Sequence, residues 1–577
     1  MQKKTEKEFK KKSFFFEDYT ESEINYNEKN LNIVKISSSR VTLLSYIFFS
    51  LILIFCLKIT YLLTIPEVNK FSEKEDHIFL KSRADIVDRN GIILARNTNI
   101  YTAGIRPKFI KNKEKFLLDF RLKFPEIDKK NLKSKINKGE FFYLENKRLT
   151  EEQKDKLWSL GLSHKVLELK KIQHRIYPQK KLFSHVIGQI DDSNLGISGI
   201  EKFLDKNLKN KKLIENSLEL TLDSNLQHII RDELIKSKKD FNQIGSAALL
   251  MDINNGQILS LVSLPDYDLN KRSSIKEHIY TNKITKGVYE LGSVFKTFTI
   301  AAGIENNVIQ PDTIFKNLEN QVYCAGRKIS EHDKLPKNLS VEQILIRSSN
   351  IGSIKIAQNI GLNKYKKFLN SLGLFQKINF DLEEIGKPLS FKWGKCKLAT
   401  ASFGHGITTT PLQLAKAYAI LSNGGYKIEP TILLNKKKTF SEKEQIVSST
   451  TSDKINKILR KVVFNKEGTA NFADVKGYEV GGKTGSALKS ENGIYTSKKL
   501  NTFISIFPSS EPKYTLLIIL DEPKPAPQYV YEFPNGYKHK GELRNTSGWN
   551  SVVVAGKIIE KIGPILAINN LQASKNF

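Results

Sequence analysis

The sequence is poor in cysteine and in acidic residues. It has three cysteines in 577 residues, and it shows no zinc-finger spacing and no RNP-type aromatic motif. Aspartate and glutamate number 61 against 92 lysines and arginines, which leaves a formal net charge of +31. Such a charge favours a polyanionic partner. Because the lysines are spread along the whole chain, we attribute the charge to compositional bias and predict no nucleic-acid binding.

One long apolar segment lies near the N-terminus. Residues 41–57 carry no charge, and after Lys58 the chain is again mostly apolar to Ile65. A membrane-spanning helix needs about 20 such residues, so we predict one at 41–65. A cleaved signal peptide would have a shorter apolar stretch and a cleavage site of small residues, and neither is present.

Charge asymmetry predicts the orientation of this helix. Basic residues precede it, whereas residues 67–76 carry an excess of acidic side chains. The positive-inside rule therefore places the N-terminus in the cytoplasm and the chain after about residue 66 outside it. Residues 1–40 are polar and predict a flexible cytoplasmic tail. Cys324 and Cys396 would then face an oxidising compartment and could pair, but two free buried thiols are an equally good reading.

The rest of the chain is long enough for at least two domains. From 66 to 222 the chain alternates short apolar strands with charged helical stretches, and near residue 223 this sequence pattern changes. We predict a second domain at 223–565 and a tail at 566–577. Strands at both ends of that domain, with helices between them, predict an α/β fold with an antiparallel sheet sandwiched by helices. The predicted elements are a strand at 218–223, a helix capped by Ser224, a hairpin at 247–262 turning at Asn254–Gly256, a strand pair at 502–507 and 514–520, and helices at 411–421 and 550–562, the last stopped by Gly563-Pro564.

Ser293 and Lys296 lie three residues apart at the start of an apolar helical run. Ser-x-x-Lys occurs at least four times in the chain, but only Ser293 follows a glycine at such a helix start. A serine hydroxyl needs a neighbouring base to become a nucleophile. Lysine can be that base only when it is uncharged, which requires burial or a second cation nearby.

Two further motifs follow in the same domain. Ser348 and Asn350 form a Ser-x-Asn at the start of another helical run, and Lys483-Thr484-Gly485-Ser486 lies in a glycine-flanked strand. Each has a structural explanation of its own, since Ser348 and Asn350 could cap a helix and Lys483 could be a solvated strand lysine. The order Ser-x-x-Lys, Ser-x-Asn, Lys-Thr-Gly within one domain nevertheless indicates an acyl-transferring serine enzyme.

With these motifs the chain resembles the class B penicillin-binding proteins, which are membrane-anchored peptidoglycan D,D-transpeptidases, and most closely their division-specific FtsI type. The resemblance covers about residues 80–555. Leu291 and Val294 replace a common proline and threonine of the family, and Ser486 replaces a threonine but keeps the hydroxyl. The blocks that carry the resemblance outside the three motifs are Arg83–Gly91, Arg175–Pro178, His185–Gly188, Gly196–Glu201, Ala401–Gly406, Thr410–Gln413 and Asp521–Pro523.

The resemblance implies a role for each motif residue. Ser293 would attack a stem peptide between its two D-alanines, Lys296 would take the proton, Ser348 would relay it and Asn350 would orient the substrate. Lys483, Thr484, Gly485 and Ser486 would bind the terminal carboxylate, with Lys483 also lowering the pKa of Lys296. The N–H groups of Ser293 and Ser486 would form the oxyanion hole. Residues 66–222 would be a non-catalytic pedestal in which Arg83, Arg175 and Glu201 form structural ion pairs.

The resemblance also implies partners and a location. No metal or organic cofactor is needed. Stem peptides and β-lactams would bind the site, and an FtsW-type glycosyltransferase and other division proteins would be partners. The protein would cross the bacterial inner membrane once, with its catalytic domain in the periplasm. The alternatives are an elongation-type transpeptidase, a β-lactamase or carboxypeptidase, a β-lactam sensor, or a non-catalytic scaffold of the division complex.

Overall fold

The computed structural model describes residues 29–64, 83–125, 128–144, 149–271, 277–394, 396–434, 444–491 and 493–575. The chain divides into two compact units, Met1–His77 and Ile78–Phe577. In the first unit the described residues form one helix, Lys29–Thr64, whose stretch Val41–Tyr61 is a candidate membrane span with no buried residue. The helix begins inside the segment 1–40, so the prediction of a flexible tail is wrong from Lys29 onward. Residues 29–40 contain neither glycine nor proline, and extending an existing helix costs little.

The described part of the pedestal is built on a five-stranded sheet. The strand order is β3 (Phe142–Tyr143), β2 (Ile93–Ile105), β1 (Ile86–Val87) and β5 (Leu218–Glu219), and β4 (Leu167–Ile176) also pairs with β2. The long antiparallel pair of β2 and β4 is its main element, in register from Arg96 opposite Ile176 to Ile105 opposite Leu167. The strands are β1 Ile86–Val87, β2 Ile93–Ile105, β3 Phe142–Tyr143, β4 Leu167–Ile176 and β5 Leu218–Glu219, and the helices are Lys113–Lys123, Lys129–Lys138, Glu151–Trp158, Ser184–Ile187, Gly199–Phe203, Asp205–Leu208 and Lys211–Asn216.

Two apolar cores divide the pedestal. A small core between residues 103 and 167 includes the stacked rings of Phe116, Phe120 and Phe124. The pedestal residues nearest the second domain instead share one large core with that domain. The boundary between residues 222 and 223 stays a prediction, since one core extends across it.

The second domain contains a five-stranded antiparallel sheet, whose strand order is β12 (Gly481–Glu491), β13 (Ile494–Phe507), β14 (Tyr514–Asp521), β6 (Gly245–Asp252) and β7 (Ile258–Leu264). The predicted hairpin and the predicted strand pair form four of its five strands, β6, β7, β13 and β14. β14 is buried at every position, so both faces of the sheet are covered by helices and the predicted α/β sandwich is confirmed. The strands from residue 223 onward are β6 Gly245–Asp252, β7 Ile258–Leu264, β8 Ile314–Phe315, β9 Gln321–Cys324, β10 Arg327–Ser330, β11 Leu339–Ser340, β12 Gly481–Glu491, β13 Ile494–Phe507, β14 Tyr514–Asp521, β15 Ala526–Glu532 and β16 Lys538–Glu542.

Two predicted boundaries near the start of the second domain differ from the structure. The strand predicted at 218–223 ends at Glu219, because Thr221 and Asp223 hydrogen-bond to Ile432 and Leu259 instead of continuing one ladder. The following helix is capped by Asp223 and not by Ser224, which is its first residue. The helices of this domain are Ser224–Phe241, Glu277–Tyr280, Phe295–Glu305, Val341–Ile346, Asn350–Ile360, Leu362–Ser371, Lys397–Ala401, Pro411–Ser422, Ser449–Phe464 and Ser551–Lys575.

The last helix runs through its predicted stop. Pro564 lies inside the helix Ser551–Lys575, so the prediction of an end at residue 562 and a tail at 566–577 is wrong up to Lys575. Proline removes one helical hydrogen bond. The helix continues because its far side is anchored: Leu566 is buried in the large core, and Tyr514 donates a hydrogen bond to Asn570 at 2.9 Å.

Cys324 and Cys396 form a disulfide with Cα atoms 5.7 Å apart. It joins the hairpin of β9 and β10 to the start of the helix Lys397–Ala401. The sequence left open whether these cysteines form a disulfide or stay free thiols, and the structure contains the disulfide. Cys56 is a free cysteine in the candidate membrane span.

Candidate active site

Ser293 lies in a tight 3-10 turn, Gly292–Val294, that leads directly into the helix Phe295–Glu305. Gly292 has φ +62°, a left-handed conformation that disfavours residues with a Cβ. A Cβ there would also lie 2.9 Å from the carbonyl oxygen of Ser486. The glycine that made this serine distinctive in the sequence is thus required by the backbone geometry.

The turn is pressed against β12 on one side and against the segment 401–406 on the other. A Cβ on Gly485 would lie 2.3 Å from the carbonyl oxygen of Leu291, and one on Gly404 would lie 2.1 Å from that of Gly292. Glycine at these two positions lets the three predicted segments meet around Ser293.

Lys296 and Lys483 converge on Ser348. Both lysines are fully buried. Nζ of Lys296 donates to Ser348 Oγ at 3.1 Å and also to the Ser348 carbonyl, and Nζ of Lys483 donates to the same Oγ at 3.0 Å. The fold therefore brings the three predicted motifs together, with one hydroxyl between two amines.

Burial lowers the pKa of both lysines. The pKa of Lys296 falls to about 7 because the side chain is desolvated, although the carboxylate of Glu331 acts in the opposite direction. The pKa of Lys483 falls well below its usual range because of burial and then because of the charge on Lys296. Burial is therefore the main cause of the low pKa of Lys296, and each ammonium group also disfavours the charge on the other.

Neither Ser348 nor Asn350 caps the helix Asn350–Ile360, so that structural alternative is wrong. The N-cap is Ser349, whose side chain accepts from Gly352 N–H. Ser348 has φ +59°, which is uncommon for a residue other than glycine and is typical of functional sites. The Asn350 side chain donates to the Ser330 carbonyl at 2.8 Å, and its Oδ1 has no partner among the described residues.

The hydroxyls of the third motif are held in place by their neighbours. Thr484 Oγ1 lies 2.9 Å from Thr469 Oγ1 and also accepts from Lys483 Nζ. Ser486 Oγ accepts from Ser547 N–H at 3.0 Å, which leaves its own proton for a ligand.

Ser293 is half-buried, and in the described part of the chain its hydroxyl has no hydrogen-bond partner. Its expected pairing with Lys296 is therefore not formed here, because Lys296 bonds to Ser348.

The sequence interpretation missed two carboxylates near the site. Glu331 accepts from the backbone N–H groups of Asn350 and Ile351. Glu290 accepts from Gly406 N–H at 2.9 Å and from the Tyr495 hydroxyl at 2.8 Å. Neither residue belongs to one of the three motifs; Glu290 lies only three residues before Ser293, whereas no spacing in the sequence indicates that Glu331 reaches the site.

Arg83, Arg175 and Glu201 form one buried network in the pedestal, as predicted for an ion-pair cluster. Glu201 accepts from Arg83 Nε at 2.9 Å and from Arg175 Nε at 2.7 Å. Arg83 also pairs with Asp205 at 2.6 Å, a partner that the sequence did not indicate. The structural role of this network stays an interpretation.

Among the described residues, no cluster of three His, Cys, Asp or Glu side chains could hold a metal ion.

Comparison with known families gives two matches. Residues 80–243 match the penicillin-binding protein dimerisation domain, and residues 246–536 match the penicillin-binding protein transpeptidase domain.

Individual proteins are similar over most of the chain. A probable peptidoglycan D,D-transpeptidase FtsI of Caulobacter vibrioides is 31% identical over 499 residues, which cover 84% of this chain and 82% of that protein. Peptidoglycan D,D-transpeptidase FtsI of Escherichia coli is 26% identical over 482 residues, which cover 78% and 80%. A crystal structure of penicillin-binding protein 3 of Mycobacterium tuberculosis, complexed with aztreonam, has a TM-score of 0.63 at 20% identity and covers 85% of this chain and 96% of that one.

Proposed function

The chain belongs to the penicillin-binding protein transpeptidase family, and on that premise we propose that Ser293 forms the acyl-enzyme of a division-type peptidoglycan D,D-transpeptidase. The family identifies a serine acyl-transfer enzyme of cell-wall synthesis. The observation that carries the residue assignment is the convergence of Lys296 and Lys483 on Ser348 beside the Ser293 turn.

Acylation begins when Ser293 Oγ attacks the carbonyl carbon between the two D-alanines of a stem peptide. Its proton passes to Nζ of Lys296, because a pKa of about 7 leaves about half of this amine neutral and able to act as a base at pH 7. The oxyanion points at the N–H groups of Ser293 and Ser486. The C–N bond to the terminal D-alanine then breaks, and Ser348 passes the proton from Lys296 to the leaving amine.

Binding of the terminal carboxylate supports the role of the third motif. Lys483 is buried without a carboxylate partner among the described residues, so an anionic ligand would stabilise its protonated form. The Thr484 and Ser486 hydroxyls would complete this contact with hydrogen bonds to the same carboxylate. An amine of a second stem peptide then attacks the Ser293 ester, and the cross-link forms as Ser293 recovers its proton. β-Lactams would acylate Ser293 in the same way.

We further propose that the protein crosses the inner membrane once, with its N-terminus in the cytoplasm and residues from about 66 in the periplasm. The candidate span Val41–Tyr61 supports one crossing. The Cys324–Cys396 disulfide supports an oxidising compartment for the catalytic domain. An FtsW-type glycosyltransferase and other division proteins are the proposed partners.

The test supplies the detergent-solubilised full chain with a stem pentapeptide and a D-amino acid acceptor. A transpeptidase releases D-alanine and forms the exchanged peptide, and mass spectrometry should find an acyl group on Ser293. Hydrolysis without exchange would instead identify a carboxypeptidase. Release of no D-alanine by the folded chain, together with no adduct, would favour the scaffold reading.

The rate of acylation should depend on pH through Lys296. Because the neutral amine is the base, the rate constant should be near its maximum above pH 7 and fall about tenfold per unit well below it. The measurement is the rate of labelling by a fluorescent penicillin from about pH 5 to pH 9, with intrinsic fluorescence as a control for folding. A flat profile over that range would contradict Lys296 as the base.

A further inference from the structure

The Ser-x-Asn motif is fastened to the rest of the domain by one carboxylate. Glu331 directly follows β10, and its two oxygens accept three hydrogen bonds from the start of one helix. Oε2 accepts from Asn350 N–H at 2.7 Å, while Oε1 accepts from Ile351 N–H at 2.9 Å and from the Ser349 hydroxyl at 2.6 Å. A carboxylate at the N-terminus of a helix is favoured by the helix dipole and by the free N–H groups there.

The same hairpin also holds the Asn350 side chain, which donates to the carbonyl of Ser330. The hairpin of β9 and β10 is in turn tied to the chain at Cys396 by the disulfide. The position of Asn350 is therefore set by Glu331 and its neighbour rather than by contacts within the motif.

The contacts of Glu331 also affect the Ser348 hydroxyl, which lies between the two lysines. Ser348 immediately precedes the residues that Glu331 binds and has a left-handed backbone conformation, with φ +59°. Such a conformation persists in a residue with a Cβ only when the surrounding structure enforces it. Glu331 fixes the helix start that follows Ser348, so it holds Ser348 Oγ within reach of both Lys296 and Lys483.

Glu331 also acts on the site through its charge. The titratable groups that interact with Lys296 are Glu331, Lys483 and His332, and His332 also interacts with Asp333 and Lys499. Glu331 is the carboxylate whose charge raises the pKa of Lys296 against the effect of burial. The carboxylate thus keeps this amine from losing its proton too readily after it has accepted one from Ser293.

From these contacts we propose that Glu331 is a positioning residue of the acyl-transfer reaction, which places Ser348 and Asn350 and balances the charge of Lys296. The proposal rests on the proposed function of Ser293. It assigns a task to a side chain that touches neither the substrate nor the reacting atoms.

The test is Glu331→Gln in the full chain, with the rate of Ser293 acylation by fluorescent penicillin measured across pH. The amide keeps the shape but replaces an accepting oxygen by a donor that faces N–H groups, so the maximal rate constant should fall about tenfold to a hundredfold. Loss of the negative charge should also move the midpoint of the acid limb to lower pH. Glu331→Asp keeps the charge and should keep the midpoint of the wild-type chain.

Glu305→Gln is the matched control, because the Glu305 carboxylate binds the N-cap residue of another helix, Ser448, and accepts no hydrogen bond from a motif residue in the described part of the chain. It accepts from Ser448 N–H and from the Ser448 hydroxyl at the start of the helix Ser449–Phe464. A loss of rate that Glu305→Gln reproduces, an unshifted midpoint in Glu331→Gln, or an unchanged rate would each overturn the proposal. Absence of labelling in the wild-type chain would instead refute the function assigned to Ser293, so the two failures are distinguishable.

Discussion

Replacing Ser293 with alanine is expected to reduce acylation by a fluorescent penicillin by roughly four orders of magnitude or more, because no other group can form the ester. The change removes a single oxygen atom from a half-buried position. It leaves Lys296 hydrogen-bonded to Ser348 as before, so the rest of the site should persist. Gel fluorescence and mass spectrometry of the detergent-solubilised full chain measure the loss.

Ser510→Ala is the matched control for this experiment. Ser510 also starts a Ser-x-x-Lys sequence, with Lys513, but it lies exposed in a bend after β13 and its hydroxyl donates to Glu479. The Ser510 variant should be labelled at the wild-type rate. If Ser293→Ala were still labelled, or if Ser510→Ala lost the label instead, the nucleophile would have been assigned to the wrong Ser-x-x-Lys.

The motif residues could be predicted from the sequence because local chemistry marks them. Ser293 follows a glycine that the turn requires, and Asn255-Gly256 lies in the connection between β6 and β7 as its turn signal indicates. In both cases the glycine has a positive φ that its neighbours in sequence already suggest.

What the sequence could not show depends on contacts between distant segments. Glu331 and Asp205 are ordinary acidic residues until the fold places them against a helix N-terminus and a buried arginine. Pro564 predicts a helix end by local rules, yet packing of Leu566 beyond it outweighs one lost hydrogen bond. The cause of the low pKa of Lys296 belongs here too, because burial is a property of the fold.

Replacing Glu201 with alanine is expected to destabilise the Ile78–Phe577 unit by about 3–5 kcal/mol, since it leaves buried guanidinium groups without their shared carboxylate. The side chains of Arg83 and Arg175 are 0% and 1% exposed. Arg83 would keep Asp205, but Arg175 would keep only neutral partners among the described residues, such as Oδ1 of Asn97. Denaturant unfolding of the full chain in detergent, with limited proteolysis of the pedestal in parallel, measures the effect.

Glu383→Ala separates this effect from the loss of any ion pair. Glu383 pairs with Lys202, the residue after Glu201, but both side chains are nearly half exposed. Exposed pairs contribute about 0–1 kcal/mol, so this variant should unfold close to the wild-type chain. Equal stability of the two variants would contradict a structural role for the network.

None of the Glu201 contacts involves Ser293, Lys296, Ser348 or Lys483, so Glu201→Ala that remains folded at low temperature should still be acylated. A folded variant that has lost labelling would mean that the pedestal acts on the active site and does more than support it.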